Sequence, residues 1–344
     1  MKVMEQSIKS KVRGAMAWGY YISKHFLSYL RGKVLILTYH RVLPESKLNL
    51  DFVQPGMYVR DDAFKRQMQF LQEHFQILPF SELLSIWDRR GLDKRERYCV
   101  ITFDDGWLDN YIHAYPVLKM HNIPATVFLP TEFIGTQDWF WPDRLGYLLS
   151  QYRELERKEP LVSLWSRYPW MNQKNGEGND RIDSLIDICK GLPEEEIKEM
   201  IEEISRESGI SCPPGRLVVN WGEVEEMSAS GVSFGSHSAT HKILTKLSPE
   251  EIQNELNASF KALQREKVNT VPVFCYPNGN FNHAIAEKVK EAGYQAAVTT
   301  QFGFESASPA NLFELRRVGV HNSISSTIPL FSWHLSGLNH LFPR

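Results

Sequence analysis

The run Tyr98-Cys99-Val100-Ile101-Thr102-Phe103-Asp104-Asp105-Gly106 decides the fold. Its first six residues are apolar, aromatic or β-branched, without the alternation of a half-wetted strand, so both faces must be covered. Two carboxylates and a glycine follow at once. Ligands of parallel sheets collect beyond the carboxyl ends of the strands, which is where Asp104 and Asp105 fall. Adjacent strand residues face opposite ways, but at a strand end about to turn both can reach one place. Asp-Asp-Gly is equally ordinary turn chemistry, so this run alone leaves turn and site open.

Similar apolar runs recur at residues 34–39, 125–129, 232–235, 271–276, 295–300 and 315–320. Helix-like patterns at 61–74, 109–121, 249–266 and 282–292 lie between them. Ser248-Pro249-Glu250-Glu251 starts one helix with a capping box, and Gly293 stops another. Strand–helix alternation with unbroken apolar strands predicts an α/β fold, a parallel sheet covered by helices. Residues 137–215 break the rhythm with Trp139, Trp141, Trp165 and Trp170, a polar loop at 172–180 and an acidic helix at 193–207. They read as an insertion between two strands, of the kind that decorates a ligand-binding face.

The chain has 344 residues, 42% of them hydrophobic, enough for a sizeable core. A net charge of -2 offers no basic face of the kind nucleic acid requires. The four cysteines (Cys99, Cys189, Cys212 and Cys275) form no CxxC pair and read as reduced thiols.

A second motif, Gly235-Ser236-His237-Ser238-Ala239-Thr240-His241, also follows an apolar run. Histidines four apart share one side of a helical turn, a spacing that suits a metal. A lone pair of this kind is commonly incidental; a second strand end carrying two carboxylates changes that. One carboxylate and two imidazoles make a three-ligand site with an open position for water. The other carboxylate is then free to act as a base. Mixed His and carboxylate ligands suit Zn²⁺ best, although several divalent ions tolerate them.

Thr102-Phe103-Asp104-Asp105-Gly106 and His237-Ser238-Ala239-Thr240-His241, in that order, resemble the polysaccharide deacetylase family (NodB-homology, carbohydrate esterase 4). Leu37-Thr38-Tyr39-His40-Arg41-Val42 is similar to the opening strand of its exopolysaccharide deacetylases. The resemblance covers residues 34–321 apart from the insertion. It implies an irregular (β/α) barrel of about seven parallel strands, NodB-homology type, with a helical insertion. It also implies removal of acetyl from N-acylated sugar or glycan substrates, with Asp104 as base and Asp105, His237 and His241 as metal ligands.

The resemblance thins at Phe274-Cys275-Tyr276-Pro277-Asn278-Gly279, where the family has an Arg-Pro-Pro-Tyr run. Asn278 stands where the family's Tyr would donate a backbone N–H to the oxyanion, and Tyr276 is the other expected contact of this run. The arginine that tethers the base in the family is missing. Leu315-Arg316-Arg317-Val318-Gly319-Val320-His321 offers a replacement through its period of two. Val318 and Val320 should face the helices, while Arg317 and His321 face the interior, Arg317 to pair with Asp104 and His321 to act as general acid. A surface ion pair and a core-edge histidine remain the plainer alternative. His40, at the end of the first strand, and Trp107, beside the motif, are candidate substrate contacts, Trp107 by stacking on a sugar face.

The expected division is 1–32, an N-terminal amphipathic helix; 33–136 and 216–325, the barrel; 137–215, the insertion; and 326–344, an apolar tail. Residues 1–33 carry seven basic residues against Glu5 alone, but no cleavage site follows and Ser23, Lys24, His25 and Ser28 make the segment too polar to span a bilayer. The expected location is therefore cytoplasmic. The helix packs on the barrel or lies peripherally on the inner membrane face. Two rival functions stay open: a deformylase or other amidase acting on a lipid-linked sugar, and a non-catalytic glycan-binding relative.

Overall fold

A computed structural model describes residues 2–23, 26–48, 52–89, 91–154, 166–169 and 179–338. Trp165, Trp170, most of the 172–180 loop and the tail beyond 338 lie outside them. Seven strands form the barrel: β1 (Lys33–Tyr39), β2 (Tyr98–Phe103), β3 (Thr126–Leu129), β4 (Ser233–Ser236), β5 (Thr270–Cys275), β6 (Ala296–Phe302) and β7 (Leu315–Gly319). Each pairs in parallel with the next, and β7 pairs back onto β1 through Leu37↔Val318 and Thr38↔Gly319, which closes the ring. The registers shift between Phe234 and Ser236 and between Leu315 and Arg317, so the barrel is irregular as expected. All seven apolar runs read from the sequence are barrel strands.

Side-chain alternation sorts the strands into two layers. Leu35, Leu37, Tyr39, Ile101, Phe103, Val127, Leu129 and Val318 pack outward, against Phe64, Met68 and Leu71 of the helix Asp61–His74. Val34, Ile36, Val100, Phe128, Val273, Val298 and Leu315 pack inward and are closed off by Phe80, Leu83 and Trp87 of the helix Phe80–Arg89. Continuing the inward series toward the strand ends gives Thr38, Thr102, Asp104 and Arg317. The barrel interior is thus apolar at its base and polar at its mouth.

Local chemistry sets the helix limits. The helix Pro249–Arg265 begins with the expected capping box, Ser248 receiving Glu251 N–H and the Glu251 side chain reaching back. The expected single helix at 109–121 is instead a π-helical turn, Asn110–Ala114, followed by Tyr115–Met120. Pro116 lacks the N–H that would continue a regular α ladder.

The chain divides into two compact units. The second comprises Glu45–Met57 and Gln137–Leu217. Its helices Trp141–Glu154, Asn179–Cys189 and Glu194–Ser208 enclose a core that includes Leu145, Leu148, Ile186, Met200 and Ile204. Phe52 is part of that core and Gln54 donates to Asp183 at 3.2 Å, so a segment read as barrel from the sequence groups here.

Gly235 lies on the inward series of β4, where a Cβ would stand 2.6 Å from the Phe128 ring and 2.8 Å from the Val273 carbonyl. Gly235→Ala is expected to destabilise the protein by about 1–3 kcal/mol through overpacking. A thermal or urea melt checks this, and an unchanged midpoint would show that the interior yields.

Candidate active site

The mouth of the barrel gathers Asp104, Asp105, His237, His241, Arg317 and His40. Asp104 leaves β2 with its N–H donating to the Tyr39 carbonyl at 3.0 Å. The backbone then enters the left-handed region at Asp105 (φ 72°) and Gly106 (φ 65°). This reversal lets two consecutive carboxylates serve one site. Ser238 (φ 63°) and His241 (φ 61°) make a comparable reversal after β4. Left-handed backbone at non-glycine residues is uncommon and marks positions held by their surroundings.

Several partners hold these turns. Ser238 N–H donates to Ser236 Oγ, and His241 N–H donates to Ser238 Oγ. Thr131 and Glu132 N–H donate to the carbonyls of Ser238 and Ala239. Glu255, buried in the helix Pro249–Arg265, accepts from the N–H groups of Ala239 and Thr240 and from the Thr240 hydroxyl. Sequence reasoning missed Glu255. The signal was present: it sits on the apolar stripe Ile252, Leu256, Ser259 and Leu263, where a carboxylate needs a buried partner.

Asp104 is 2% exposed and Arg317 1%. They meet in a bidentate pair, with Arg317 Nη1 to Oδ1 and Nη2 to Oδ2 both at 2.7 Å. The pairing expected from the alternation of β7 is therefore present. Burial by itself would raise the Asp104 pKa, but the adjacent guanidinium outweighs it and holds the carboxyl at about 2. His40 Nε2 lies 3.8 Å from Asp104 Oδ2 and is partly open to solvent.

Asp105 Oδ1 lies 3.3 Å from His237 Nε2 and 3.2 Å from His241 Nε2. Burial opposes its ionisation, yet the two imidazoles bring its pKa well below the usual carboxylate value. His237 Nδ1–H donates to the Cys275 carbonyl at 2.8 Å, which turns Nε2 toward Asp105 and makes it the ring nitrogen that would give up its proton to hold a cation. One carboxylate oxygen and two imidazole nitrogens lie within 4.8 Å of one another, an arrangement that fits a divalent cation. Asp104, His237 and Cys275 also bring donor atoms within 4.8 Å of one another. That set fits poorly, because both Asp104 oxygens are engaged by Arg317 and burial keeps the Cys275 thiol protonated.

Three expected contacts need correction or relocation. Trp107 does not present a face to a sugar: it is 1% exposed, its Nε1–H donates to Asp105 Oδ2 at 2.9 Å, and Arg41 stacks on its ring at 4.5 Å. It orients Asp105 instead. Tyr276 points out of the barrel beside Phe274, stacks on Phe281 and donates to the Phe313 carbonyl. The period of two that turns Cys275 inward turns Tyr276 outward, and its N–H is used by Val298. His321 lies beyond β7 at the start of the helix Asn322–Ser325, with Nδ1 2.8 Å from Ser323 Oγ. Asn278 is exposed at a left-handed position (φ 55°) on the loop after β5.

Two outcomes are expected. Arg317→Ala strands a buried carboxylate and should cost about 3–5 kcal/mol in a urea melt at neutral pH. Asp104 has a depressed folded pKa, so its contribution is present above the usual carboxylate range and fades as pH falls toward about 2. The Arg317→Ala deficit should shrink in that window, and a deficit independent of pH would refute the electrostatic cause. Glu255→Gln should weaken zinc binding about 10–100-fold by calorimetry, because it loosens the loop that carries both histidines.

Comparison with known proteins places this geometry. The polysaccharide deacetylase family profile matches residues 91–297. The chain is 24% identical over 299 residues to a putative polysaccharide deacetylase, YxkH, of Bacillus subtilis, covering 86% of this chain and 74% of that one. It is 27% identical over 223 residues to a poly-beta-1,6-N-acetyl-D-glucosamine N-deacetylase of Staphylococcus epidermidis, covering 61% and 73%. Among solved structures, the Streptococcus pyogenes deacetylase PplD superposes with a TM-score of 0.55 at 19% identity, over 91% of this chain and 99% of that one. IcaB from Ammonifex degensii gives 0.55 at 18%, over 88% and 97%. Family and donor set together imply a divalent metal. A closed parallel barrel with this profile match makes the chain a member of the polysaccharide deacetylase family, an enzyme acting on carbohydrate amide bonds.

Proposed function

We propose that the protein removes acetyl groups from N-acetylglucosamine units of a polysaccharide, with Asp104 as base and Asp105, His237 and His241 holding Zn²⁺. The observation that carries this reading is the division of labour between adjacent carboxylates. Arg317 claims both oxygens of Asp104, while Asp105 faces two imidazole nitrogens. The substrate class comes from relatives named for poly-beta-1,6-N-acetyl-D-glucosamine. Zinc comes from the mixed nitrogen and oxygen donor set.

A bound divalent ion supplies Lewis acidity, which makes water more acidic and polarises an amide carbonyl. The chain's own groups do the rest. Asp104 takes the proton of the attacking water; Arg317 keeps it ionised and fixed in direction at some cost in basicity. In this reading the Asn278 backbone N–H stabilises the oxyanion, a role that needs no particular side chain. A histidine protonates the leaving amine. His40, which approaches Asp104 to 3.8 Å, is one candidate, and His321, in the turn that follows β7, is the other.

Acetate release from β-1,6-linked N-acetylglucosamine oligomers tests the reading. Chelation should abolish it and zinc restore it. Asp104→Asn should retain zinc yet lose about 10²–10⁴-fold in kcat. Of His321→Ala and His40→Ala, the one that removes the alkaline limb of the kcat profile identifies the acid. Formate release in place of acetate, or glycan binding with no acid released, would refute the assignment.

A further inference from the structure

We infer that the N-terminal helix docks the enzyme on an anionic lipid bilayer. The helix Lys2–Tyr21 has two dissimilar faces. One packs on the helix Ile328–Leu335: Ala17 is fully buried, and the Tyr20 ring meets Trp333 at 5.7 Å. The other carries Lys11, Val12, Ala15 and Trp18, all exposed, and exposed Ile22 in the turn that follows continues the same spacing. Trp18 is 57% exposed and Ile22 73%. Six large hydrophobic residues are this exposed among the described residues, and four of them (Val12, Trp18, Ile22 and Tyr29) fall in this segment. Their clustering cannot be ordinary surface scatter.

Charge selects the occupant. Lys2, Lys9, Lys11, Arg13, Lys24, Arg31 and Lys33 stand against Glu5 alone, in a chain whose net charge is -2. Two copies meeting through this same face would set one cationic segment against another, so the segment complements a negatively charged surface rather than its own counterpart in a second copy. An apolar stripe with tryptophan on it, in a segment rich in lysine and arginine, is the pattern of a helix lying in the headgroup layer. No described helix is long and apolar enough to cross a membrane, so the contact is peripheral.

The docked helix reaches the barrel rim. Arg13 donates to the Ser323 carbonyl at 3.0 Å, and Ser323 Oγ bonds His321. Docking would hold the site close to glycan at the membrane surface; that consequence rests on the site reading above, whereas lipid binding itself does not.

Flotation of the full chain with vesicles tests the inference. The protein should float with vesicles containing roughly a third phosphatidylglycerol, stay behind with phosphatidylcholine alone, and release at high salt. Trp18→Ser with Ile22→Ser, and separately Lys11→Glu with Arg31→Glu, should each weaken binding at least about tenfold. Acetate release from soluble oligomers should be unchanged in both variants. Equal binding to both vesicles, or none to either, overturns the inference. So does lipid-free dimerisation that the Trp18 and Ile22 changes abolish, because a second copy would then cover the face.

Discussion

Arg317 and Asp104 form the interaction on which the mouth of the barrel depends. Burying a guanidinium is expensive unless every N–H finds an acceptor. Here all five have partners. Nε donates to the Thr299 carbonyl, Nη1 to Thr102 Oγ1 and Asp104 Oδ1, and Nη2 to Asp104 Oδ2 and Cys275 Sγ. Those acceptors come from β2, β5 and β6, so one side chain from β7 ties together strands on opposite sides of the ring. The same contacts remove Asp104 from competition for a cation. Asp105, turned by its left-handed backbone, is left facing His237 and His241.

Secondary structure was legible because the strands are buried on both faces, which leaves unbroken apolar runs that alternate with helical periods. The centre of the site was legible because two chemically distinct motifs end two such runs. Arg317 could be found without any motif, since strand periodicity alone turns it inward while Val318 and Val320 join the outer core. The same rule applied to β5 would have turned Tyr276 outward with Phe274; proximity to a family motif outweighed it. Trp107 misled for a different reason. Its position beside the site is real, but adjacency in sequence says nothing about exposure, and an indole N–H serves a buried carboxylate as well as a ring face serves a sugar.

Contacts distant in sequence escaped altogether. Glu255 lies on a helix that looks amphipathic in the ordinary way, and only the loop it supports explains its burial. Gly235 reads as a strand end, yet its lack of a side chain is what admits Phe128 to the barrel interior. Glu45–Met57 carries no composition that separates it from its flanks, so its membership of the second unit depends on packing by Phe52. Each case is tertiary context overriding a local signal.

The division of labour between Asp104 and Asp105 is the centre of this account, and the coordination of a bound zinc ion reports it directly. X-ray absorption at the zinc edge of the metal-loaded protein should show nitrogen and oxygen neighbours only, roughly 2.0–2.2 Å away, and loading should leave the Asp104–Arg317 pair intact in a diffraction map. A sulfur neighbour at roughly 2.3 Å would place the ion between Asp104, His237 and Cys275. That result would contradict the assignment of Asp104 as the base.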